Sequence, residues 1–584
     1  MTTLSWLLIA TIAVPWLGAL VVWRIGDKNP GVQHTVAVGF SVLSGVAALA
    51  LIPSASSAVI VRLPMGSLFG DFTLLGDGLG VFLAAIATVI GSLAVIFSVD
   101  YMRGEAQVGR YYALVLLFIG AMAGLVLTGS LLFMFVFWEI TALCSYALIA
   151  FHNDDPKAVA GGIKALIITS LGGVGLFMGA LFIYGKLGSY EISDFIQKAP
   201  TLSPAVLACI AFGFLAAAAA KSAQFPFQTW LPDAMEAPTP VSALIHAATM
   251  VNAGVYLLAR FYPAFEGVPY WKTAVVIVGM LSAFLAACMA LVATDLKRVL
   301  AYSTVSQLGY MVYAIGAGGI FASQFHLFSH AVFKALLFLG AGAVIHSVGT
   351  RDMRKMGGLG KQMPFTRTVF IIGALALAGI PILNGFWSKE LVLETGLKGG
   401  PIWAYVVMLI VAGLTALYTF RMVWLVFFGE PREQLHAHDA QTAMKISLGL
   451  LAAGSLVTWL AAGPFGSLLK STLPFHEIDA LPTLQVVTEV LTAPATWLAL
   501  GVIAIGLAMW WWRENLKGIA NALQGLSKVA ADSFGFEWIN RQVVAGTENS
   551  AEALRYTQTG QLNWNVVGIV AGLIIVLAIV IVGA

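Results

Sequence analysis

Residues 221–252 read KSAQFPFQTWLPDAMEAPTPVSALIHAATMVN and place a lysine, a histidine and four prolines inside an otherwise apolar sequence. Lys221 follows the run AFGFLAAAAA, so its ammonium is predicted to lie at membrane depth, where a charge costs at least about 2.5–3.5 kcal/mol. Pro226 removes a backbone donor and clashes with the preceding turn, so we expect the helix to break there. Broken helices at this depth line protein or a wet cavity, which makes Lys221 a candidate ion-pathway residue. The alternative is that Lys221 reaches out to an interface and Pro226 only kinks the helix.

The composition of the chain defines its class. Of the 584 residues, 59% are hydrophobic and only 10% are charged, and the mean hydropathy is +0.90. These values are typical of an all-α polytopic membrane protein without a soluble domain of ordinary size. The net charge of +3, spread over scattered basic residues, gives no reason to expect nucleic acid as a partner.

The sequence lacks the usual signs of a redox cofactor. Cys144, Cys209 and Cys288 lie inside apolar runs and form no CxxC pair, which argues against an iron–sulfur site or a disulfide framework built from this chain alone. No glycine-rich phosphate loop follows a strand. We therefore expect no cofactor and no metal in this chain.

A window of about 19 residues predicts about sixteen membrane spans, two of them broken, at 204–235 and 366–397. The first apolar run, 4–23, has no cleavage site and is predicted to be a retained helix. Residues 58–77 alternate apolar residues with Gly, Asp and Pro, which predicts a short hairpin outside the bilayer. The other predicted spans are 32–52, 79–99, 112–129, 131–151, 159–184, 241–261, 272–293, 299–317, 320–347, 401–428, 442–462, 496–512 and 564–583.

The distribution of basic residues predicts the orientation of the chain. An even number of spans places both termini on one side, and most Lys and Arg fall in the loops of the other side. The positive-inside rule then places both termini outside and the basic loops in the cytoplasm. These loops include Arg351, Arg354, Lys355, Lys361 and Arg367.

The broken spans also indicate an internal repeat. The blocks 112–261 and 272–428 each contain five predicted spans, and in each block the fourth span is broken, at Pro226 and near Gly379–Pro381. Two such blocks entering the membrane from opposite sides would form inverted repeats. Each broken span carries a lysine, Lys221 in the first and Lys389 in the second. The alternative is a coincidence between two proline-kinked helices.

The other intramembrane ionisable residues fall where such repeats need them. Glu139 lies near the middle of the apolar segment 131–151, and pairing it with Lys221 would keep both groups charged. His326, His330 and Lys334 follow one another at intervals of four residues, so they form one stripe on a helix face. Imidazoles titrate near neutrality and both accept and donate protons, so the stripe is predicted to be part of a proton relay, extended by His246. A lone buried histidine is more often a structural residue, but three titratable groups on one face favour the relay.

Several of these segments resemble the proton-translocating, antiporter-like membrane subunits of respiratory complex I, a family shared with multisubunit sodium/proton antiporters and membrane-bound hydrogenases. The resemblance covers roughly residues 75 to 430. The segments that carry it are FMFVFWEITALCSYALI (133–149), the stretch 221–258, LKRVLAYSTVSQLGYM (296–311), HLFSHAVFKALLFLGAG (326–342) and NGFWSKE (384–390).

The resemblance implies a role for each candidate residue. Glu139 resembles the carboxylate at the subunit interface and Lys221 the lysine of the first half-channel. Lys334 resembles the central lysine and Lys389 the terminal lysine of the second broken helix. The connecting histidines are matched by His246, His326 and His330. The resemblance further implies a prokaryotic cell membrane, other membrane-arm subunits as partners, and flavin, iron–sulfur clusters and quinone in those partner subunits.

The C-terminal region favours the distal subunit of such an assembly. Residues 513–534 carry an apolar stripe at helical spacing, which predicts an amphipathic helix along the membrane surface, with Gly535 as a point of interruption. The predicted domains are 1–111 with the outer hairpin, the repeats 112–261 and 272–428, two helices in 429–512, the lateral segment 513–560 and an anchor helix in 561–584. The apolar stripe consists of Leu516, Ile519, Leu523, Leu526 and Ala530.

The chain departs from the family pattern at one place, and the sequence leaves other assemblies of the family possible. Many distal subunits have an arginine and an aspartate where this chain has Ser170 and Gly173, so any ion pair between them is absent here. The chain could instead belong to a sodium/proton antiporter or hydrogenase complex, or act as a proton-coupled partner in inorganic-carbon uptake. A long lateral helix favours the respiratory reading, and neighbouring genes for hydrophilic redox subunits would decide between them.

Overall fold

The computed structural model describes residues 2–55, 58–66, 69–557 and 571. Contacts divide the chain into two units, Met1–Gln524 and Gly525–Ala584. Within the described residues, 13 helices are long and apolar enough to cross a membrane. The all-α, multi-pass class predicted from composition is therefore confirmed.

The first unit opens with two helices and a hairpin. Asp77 caps the helix that follows the hairpin by accepting a hydrogen bond from the Gly80 amide at 2.8 Å. The strands pair antiparallel with Val59 opposite Gly76, which confirms the hairpin predicted over 58–77. The elements are α1 (Thr3–Ile25), α2 (Pro30–Leu51), β1 (Val59–Pro64), β2 (Asp71–Gly76) and α3 (Gly78–Tyr101).

The first five-span block follows, and its fourth span is broken as predicted. The helix ends at Lys221, five residues before Pro226, and Ala223 adopts a left-handed conformation with φ of 49°. Lys221 therefore lies at the break itself rather than inside the helix. The helices are α4 (Val108–Leu127), α5 (Leu131–Ile149), α6 (Pro156–Leu187), the short α7 (Ile192–Lys198), α8 (Pro204–Lys221), α9 (Trp230–Asp233), α10 (Thr239–Ala243) and α11 (Asn252–Phe265), with a π-helical turn, Leu244–Ala248, between the last two.

The second block repeats this order. Its fourth span is broken where Gly379, with φ of 81°, ends one helix in a left-handed conformation. Five spans with the fourth one broken thus occur twice, and their inverted relation stays a prediction. The helices are α12 (Trp271–Val292), α13 (Leu296–Gly316), α14 (Ile320–Val348), α15 (Pro364–Ala378), α16 (Asn384–Gly399) and α17 (Ile402–Val423), which continues into a π-helical turn, Trp424–Phe428.

Four more helices follow in the first unit before the lateral segment: α18 (Thr442–Val457), α19 (Ala462–Thr472), α20 (Thr483–Thr492) and α21 (Pro494–Trp511). Fifteen predicted spans fall on described helices, although α13 is too polar and α15 and α16 are too short to count among the 13. The sixteenth span, at 564–583, and most of the predicted anchor lie outside the described residues. The total of sixteen therefore stays a prediction.

The predicted lateral segment is helical but interrupted. It forms α22 (Lys517–Ala522), α23 (Gln524–Ala531) and α24 (Phe536–Thr557). A single helix over 513–534 is not what the structure shows, because α22 begins only at Lys517 and Leu523 separates it from α23. After α23, Ser533, Phe534 and Gly535 all have positive φ values, of 52°, 54° and 82°. These backbone conformations end one helix and start another, as expected for an interruption at Gly535.

Close helix packing places Lys221 beside its neighbours. A Cβ built on Gly175 of α6 would lie 2.3 Å from the carbonyl oxygen of Gly213 on α8, and one built on Gly172 would lie 2.2 Å from the Ala220 side chain. Small residues at these positions let two helix backbones approach each other inside a membrane protein. The end of α8 is thereby held against α6, next to the residues that contact Lys221 and Glu139.

Candidate functional site

Lys221 is fully buried at the end of α8. Its Nζ donates a hydrogen bond to the carbonyl oxygen of Trp138 at 2.7 Å and lies 4.9 Å from the centroid of a Trp138 ring. A carbonyl dipole and an aromatic face both attract a cation. Trp138, on α5, is thus the residue that holds the ammonium in this structure.

Glu139, next to Trp138, is half-buried and makes a different contact. Its Oε2 accepts a hydrogen bond from the Ser170 hydroxyl of α6 at 2.7 Å, whereas its buried Oε1 has no partner among the described residues. Glu139 interacts electrostatically with Lys221, yet no direct bond joins the two described side chains. The structure brings the predicted partners together and leaves their ion pair open.

Ser170 and Gly173, the two residues that depart from the family pattern, both lie against the Glu139 carboxylate. Ser170 supplies the hydrogen bond, and a Cβ built on Gly173 would lie only 2.6 Å from Glu139 Oε1. Residue 173 must therefore lack a side chain for the carboxylate to take this position. The resemblance to the family drew attention to positions 170 and 173, but only the structure shows that both contact Glu139.

Trp230 connects the first break to the middle of the bundle. Its indole N–H donates to the carbonyl of Ala220 at 2.9 Å, and its ring lies 6.5 Å from the ring of His246. The short helix α9 that carries it is fixed at Asp233, which pairs with Lys164 of α6 at 2.7 Å and Arg298 of α13 at 3.1 Å. The second half of the broken helix is thus anchored from two sides.

His246 lies in the π-helical turn and is fully buried. Neither ring nitrogen has a hydrogen-bond partner among the described residues, and the imidazole interacts electrostatically with Lys297 and Lys334. Single π-helical turns are frequent at functional sites. Its position between two lysines fits the predicted role as a connecting residue.

Lys297, on α13, is a buried cation that the sequence reading missed. Its side chain is almost inaccessible, and its Nζ donates to the carbonyl of Ala237 at 2.6 Å. It stands in the quoted segment 296–311, but at a helix start beside Arg298, where a lysine looks like an ordinary interface residue. The sequence offered one indication: Lys297 belongs to a segment that resembles the family and that also contains the polar stretch 303–307.

The predicted stripe on α14 exists, and all three residues are fully buried. The rings of His326 and His330 lie 6.5 Å apart, and Lys334 donates to the Ser303 hydroxyl at 2.6 Å. His330 has no hydrogen-bond partner at either ring nitrogen among the described residues. Along the stripe, His326 and Lys334 therefore have hydrogen-bond partners, whereas His330 between them has none among the described residues.

His326 connects the stripe to the second broken helix. One ring nitrogen lies 3.0 Å from the hydroxyl of Ser388 and the other 3.2 Å from Oε1 of Gln307. Ser388 precedes Lys389 in the chain, so the imidazole reaches the terminal lysine through one residue. Gln307 and Ser388 both occur in segments quoted for the resemblance, but hydroxyls and amides carry no charge that would mark them.

Lys389 and Glu390 form the far end of the buried line. Lys389 Nζ lies 5.3 Å from the ring centroid of Tyr310, and neither it nor the two Glu390 oxygens have hydrogen-bond partners in the described part of the chain. The two charges interact electrostatically. Glu390 is, after Lys297, the second charged residue that the sequence analysis missed, although it completes the segment NGFWSKE.

A recess opens at the end of α16. It has a volume of about 370 Å³ and is lined by Glu394 and Lys398 of α16 together with Glu477, Asp479 and Glu489. Glu390, Glu394 and Lys398 follow at intervals of four residues, which places them on one helix face. Ionisable groups therefore extend from the buried Lys389–Glu390 pair to an accessible surface.

This arrangement is suited to moving protons. No group of three or more His, Cys, Asp or Glu among the described residues could bind a metal ion. Imidazoles, ammonium groups, carboxylates and hydroxyls within one bundle can each accept and release protons or orient a neighbour that does.

Comparison with known proteins agrees with this geometry. Residues 128–415 match the family described as "NADH:quinone oxidoreductase/Mrp antiporter, TM". Residues 63–112 match "NADH-Ubiquinone oxidoreductase (complex I), chain 5 N-terminus". Together the two matches cover most of the hairpin, both five-span blocks apart from residues 113–127 and 416–428, and every candidate residue.

Individual relatives extend the match over most of the chain. NADH-quinone oxidoreductase subunit L of Escherichia coli (strain K12) is 38% identical over 548 residues, covering 88% of this chain and 87% of the relative. NAD(P)H-quinone oxidoreductase chain 5 of Picosynechococcus sp. is 39% identical over 488 residues, covering 75% of this chain and 72% of the relative.

A solved structure of the Mrp complex from Dietzia sp. DQ12-45-1b contains a similar chain. The two share 29% identity with a TM-score of 0.84, and the match covers 100% of this chain but 63% of the Mrp chain. The resemblance stated from the quoted segments is confirmed. The chain belongs to the family of the antiporter-like, proton-translocating membrane subunits of complex I, represented by subunit L and chain 5.

Proposed function

We propose that this chain is the distal proton-translocating subunit in the membrane arm of a complex I-type NADH–quinone oxidoreductase. The observation that carries the proposal is the buried line of ionisable groups from Lys221 to the Lys389–Glu390 pair. Buried charges inside membrane spans are expensive and mark ion pathways. The path enters beside Glu139, runs past the central residues and leaves at the recess on α16. Its central residues are His246, Lys334, His330 and His326.

The protein's own groups perform the transfer in this proposal. Lys221 shifts between the Trp138 carbonyl and the Glu139 carboxylate, and each shift changes how tightly the lysine holds its proton. His246, His330 and His326 pass protons between Lys334 and the outer lysines, because an imidazole can take a proton at one nitrogen and give one at the other. Glu390 compensates the charge of Lys389 when that lysine is protonated.

The chain's partners follow from the same proposal. Flavin, iron–sulfur clusters and quinone lie in other subunits, and redox energy reaches this chain through the neighbouring membrane-arm subunit. The α5–α6 surface around the half-buried Glu139 faces that neighbour. We further propose a prokaryotic cell membrane with both termini outside, based on the basic loops near Arg351 and Arg367.

The direct test is proton pumping by the intact complex in proteoliposomes, driven by quinone reduction. A variant with Lys221, Lys334 and Lys389 all changed to methionine should keep quinone reduction and lose a large part of the proton gradient. If that variant pumped at the wild-type ratio of protons to electrons, the proposed path would be wrong.

The second candidate function is that of a sodium/proton antiporter subunit. The high TM-score to the Mrp structure and the interrupted lateral segment favour it. Purification of the intact assembly distinguishes the two candidates. Hydrophilic redox subunits that co-purify support the respiratory reading, whereas sodium-dependent proton exchange without redox subunits supports antiport.

A further inference from the structure

A crevice lined by aromatic rings lies between the ends of α17 and α21. Its volume is about 500 Å³, within the range of roughly 300–1,000 Å³ that is usual for small-molecule sites. The wall is almost entirely apolar, and Trp511 at 74% and Trp512 at 59% exposure stand open to the surroundings. The aromatic lining consists of Phe420, Trp424, Phe428, Trp510, Trp511 and Trp512.

Arg513 follows this crevice directly. Its guanidinium carbon lies 5.1 Å from the ring centroid of Trp424 and 4.9 Å from that of Trp510, so two crevice walls hold it in place. One N–H donates to the Trp510 carbonyl at 3.3 Å, and the Glu514 carboxylate lies 3.9 Å away. A guanidinium has five donors, so most of its capacity stays available for an anion.

A second donor lies in the same wall. The indole nitrogen of Trp510 is buried and has no hydrogen-bond partner among the described residues. A tryptophan whose ring is largely buried usually finds a partner for its N–H. Beside one apolar crevice, the Trp510 indole thus lacks an acceptor among the described residues, and Arg513 has more donors than its protein partners use.

The crevice lies at the basic end of the bundle. Phe427, the neighbour of Phe428, lies near Arg367 in the first turn of α15, because a Cβ built on Gly360 would approach both the Phe427 carbonyl and the Arg367 side chain. Basic pockets between membrane helices on the cytoplasmic side are suited to acidic lipid head groups.

We propose that this crevice binds one anionic phospholipid. An acyl chain fills the space between the aromatic rings, and the phosphate oxygens accept hydrogen bonds from Arg513 and from the indole N–H of Trp510. A long apolar wall next to unsatisfied donors matches an amphiphile with a charged head. A free phosphate ion would leave the aromatic wall without a role.

Native mass spectrometry of the intact assembly, extracted in mild detergent, tests the proposal. Phosphatidylglycerol and phosphatidylcholine with identical acyl chains are added in turn. The wild type should bind one phosphatidylglycerol about fivefold more tightly than phosphatidylcholine. Arg513→Gln should lose this preference, and Trp424→Leu should weaken binding of both lipids.

The matched control is Arg24→Gln. Arg24 borders another apolar crevice together with Trp23, but the structure gives it no paired indoles, so its loss should leave the preference intact. Equal binding of the two lipids by the wild type, or an undiminished preference in Arg513→Gln, overturns the proposal. Displacement of the phosphatidylglycerol by millimolar inorganic phosphate overturns it as well, because the site would then be a plain anion site.

Discussion

The Ser170 hydroxyl donates a hydrogen bond to the Glu139 carboxylate at 2.7 Å. Lys221, which also interacts electrostatically with Glu139, makes no direct bond to it. The lysine is instead bonded to the carbonyl of Trp138, the residue before Glu139. We expect the hydroxyl and the ammonium to compete for this carboxylate, whose Oε1 has no partner among the described residues. In this structure the hydroxyl is bonded to the carboxylate, and the ion pair with Lys221 is open.

Replacing Ser170 with alanine should close the pair and slow pumping. Hydrogen bonds to charged groups contribute about 1.5–3 kcal/mol, so the shift should lower the pumping rate by roughly tenfold. Ser170→Thr keeps the hydroxyl and should restore pumping. The measurement is proton uptake per electron in proteoliposomes, and equal activity of the alanine and threonine variants would show that the hydroxyl does not matter.

Changing Lys221 or Glu139 to alanine should strongly reduce proton pumping while the complex still assembles. Each substitution removes one member of the pair on which the proposed charge transfer at the first break depends. The measurement is the proton gradient at matched amounts of purified complex. Near wild-type pumping by both variants would exclude a role for the pair.

Substitutions of Lys334 distinguish a role in a proton relay from a purely structural role. Arginine keeps the charge but does not release its proton, whereas methionine removes both properties. A relay therefore predicts that Lys334→Arg is nearly as harmful to pumping as Lys334→Met. A structural role predicts that arginine is tolerated. Coupled turnover and pumping at matched expression decide, and a normally pumping arginine variant would exclude proton exchange at this residue.

Truncation at about residue 512 tests the lateral segment. The helices before this position make up the bundle of the first unit and should still fold, because their contacts lie within that unit. Attachment to the rest of the complex should weaken, since α22, α23 and α24 would be lost. The readout is co-purification with the neighbouring subunits, and full stoichiometry of the truncated chain would argue against a role of the lateral segment in attachment.

Asp439 should fasten a surface loop to the start of α15. It accepts hydrogen bonds from the Phe365 and Thr366 amides and from the Thr366 hydroxyl at 2.8, 3.1 and 2.6 Å. Partial burial opposes its charge, but these hydrogen bonds prevail and hold the pKa of Asp439 below its usual value. The attachment is therefore present at neutral pH and is lost as pH falls through that lowered pKa.

The pH dependence of loop proteolysis measures this contact. Asp439→Ala should destabilise the attachment by about 0.5–2 kcal/mol, as for the loss of a helix cap. The loop at 430–441 should then be cleaved readily at pH 7, where the wild type is protected. Identical cleavage of both proteins at pH 7 would contradict the prediction.

Composition and motif spacing were sufficient for the class, the two breaks and the stripe on α14. Apolar runs of span length and prolines inside them depend on local sequence, and local sequence decides where a helix starts and ends. The exact end of α8 was not predictable, because the left-handed Ala223 depends on surrounding contacts rather than on its own side chain.

The contacts of the site were harder to predict. Lys297 and Glu390 both lie in segments that were singled out in the sequence. A single sequence does not show, however, whether a charged residue near the start of a helix is buried or solvated. Whether Lys221 bonds to Trp138 or to Glu139 depends on the distances between three helices. The spacing of residues along one helix gives no information about those distances. Ser170 and Gly173 were noticed as substitutions, and their meaning appeared only when α6 packed against α5.

The two broken helices hold their lysines on opposite sides of the gap. Lys221 is the last residue of α8, at the carbonyl end of a helix, whereas Lys389 follows the amino end of α16 by five residues and has Glu390 beside it. A helix attracts cations at its carbonyl end and anions at its amino end. The two repeats are therefore not electrically equivalent. In the proposed pathway a proton would meet a different electric field at each gap, and the directions of the two helices would set the polarity of the pathway.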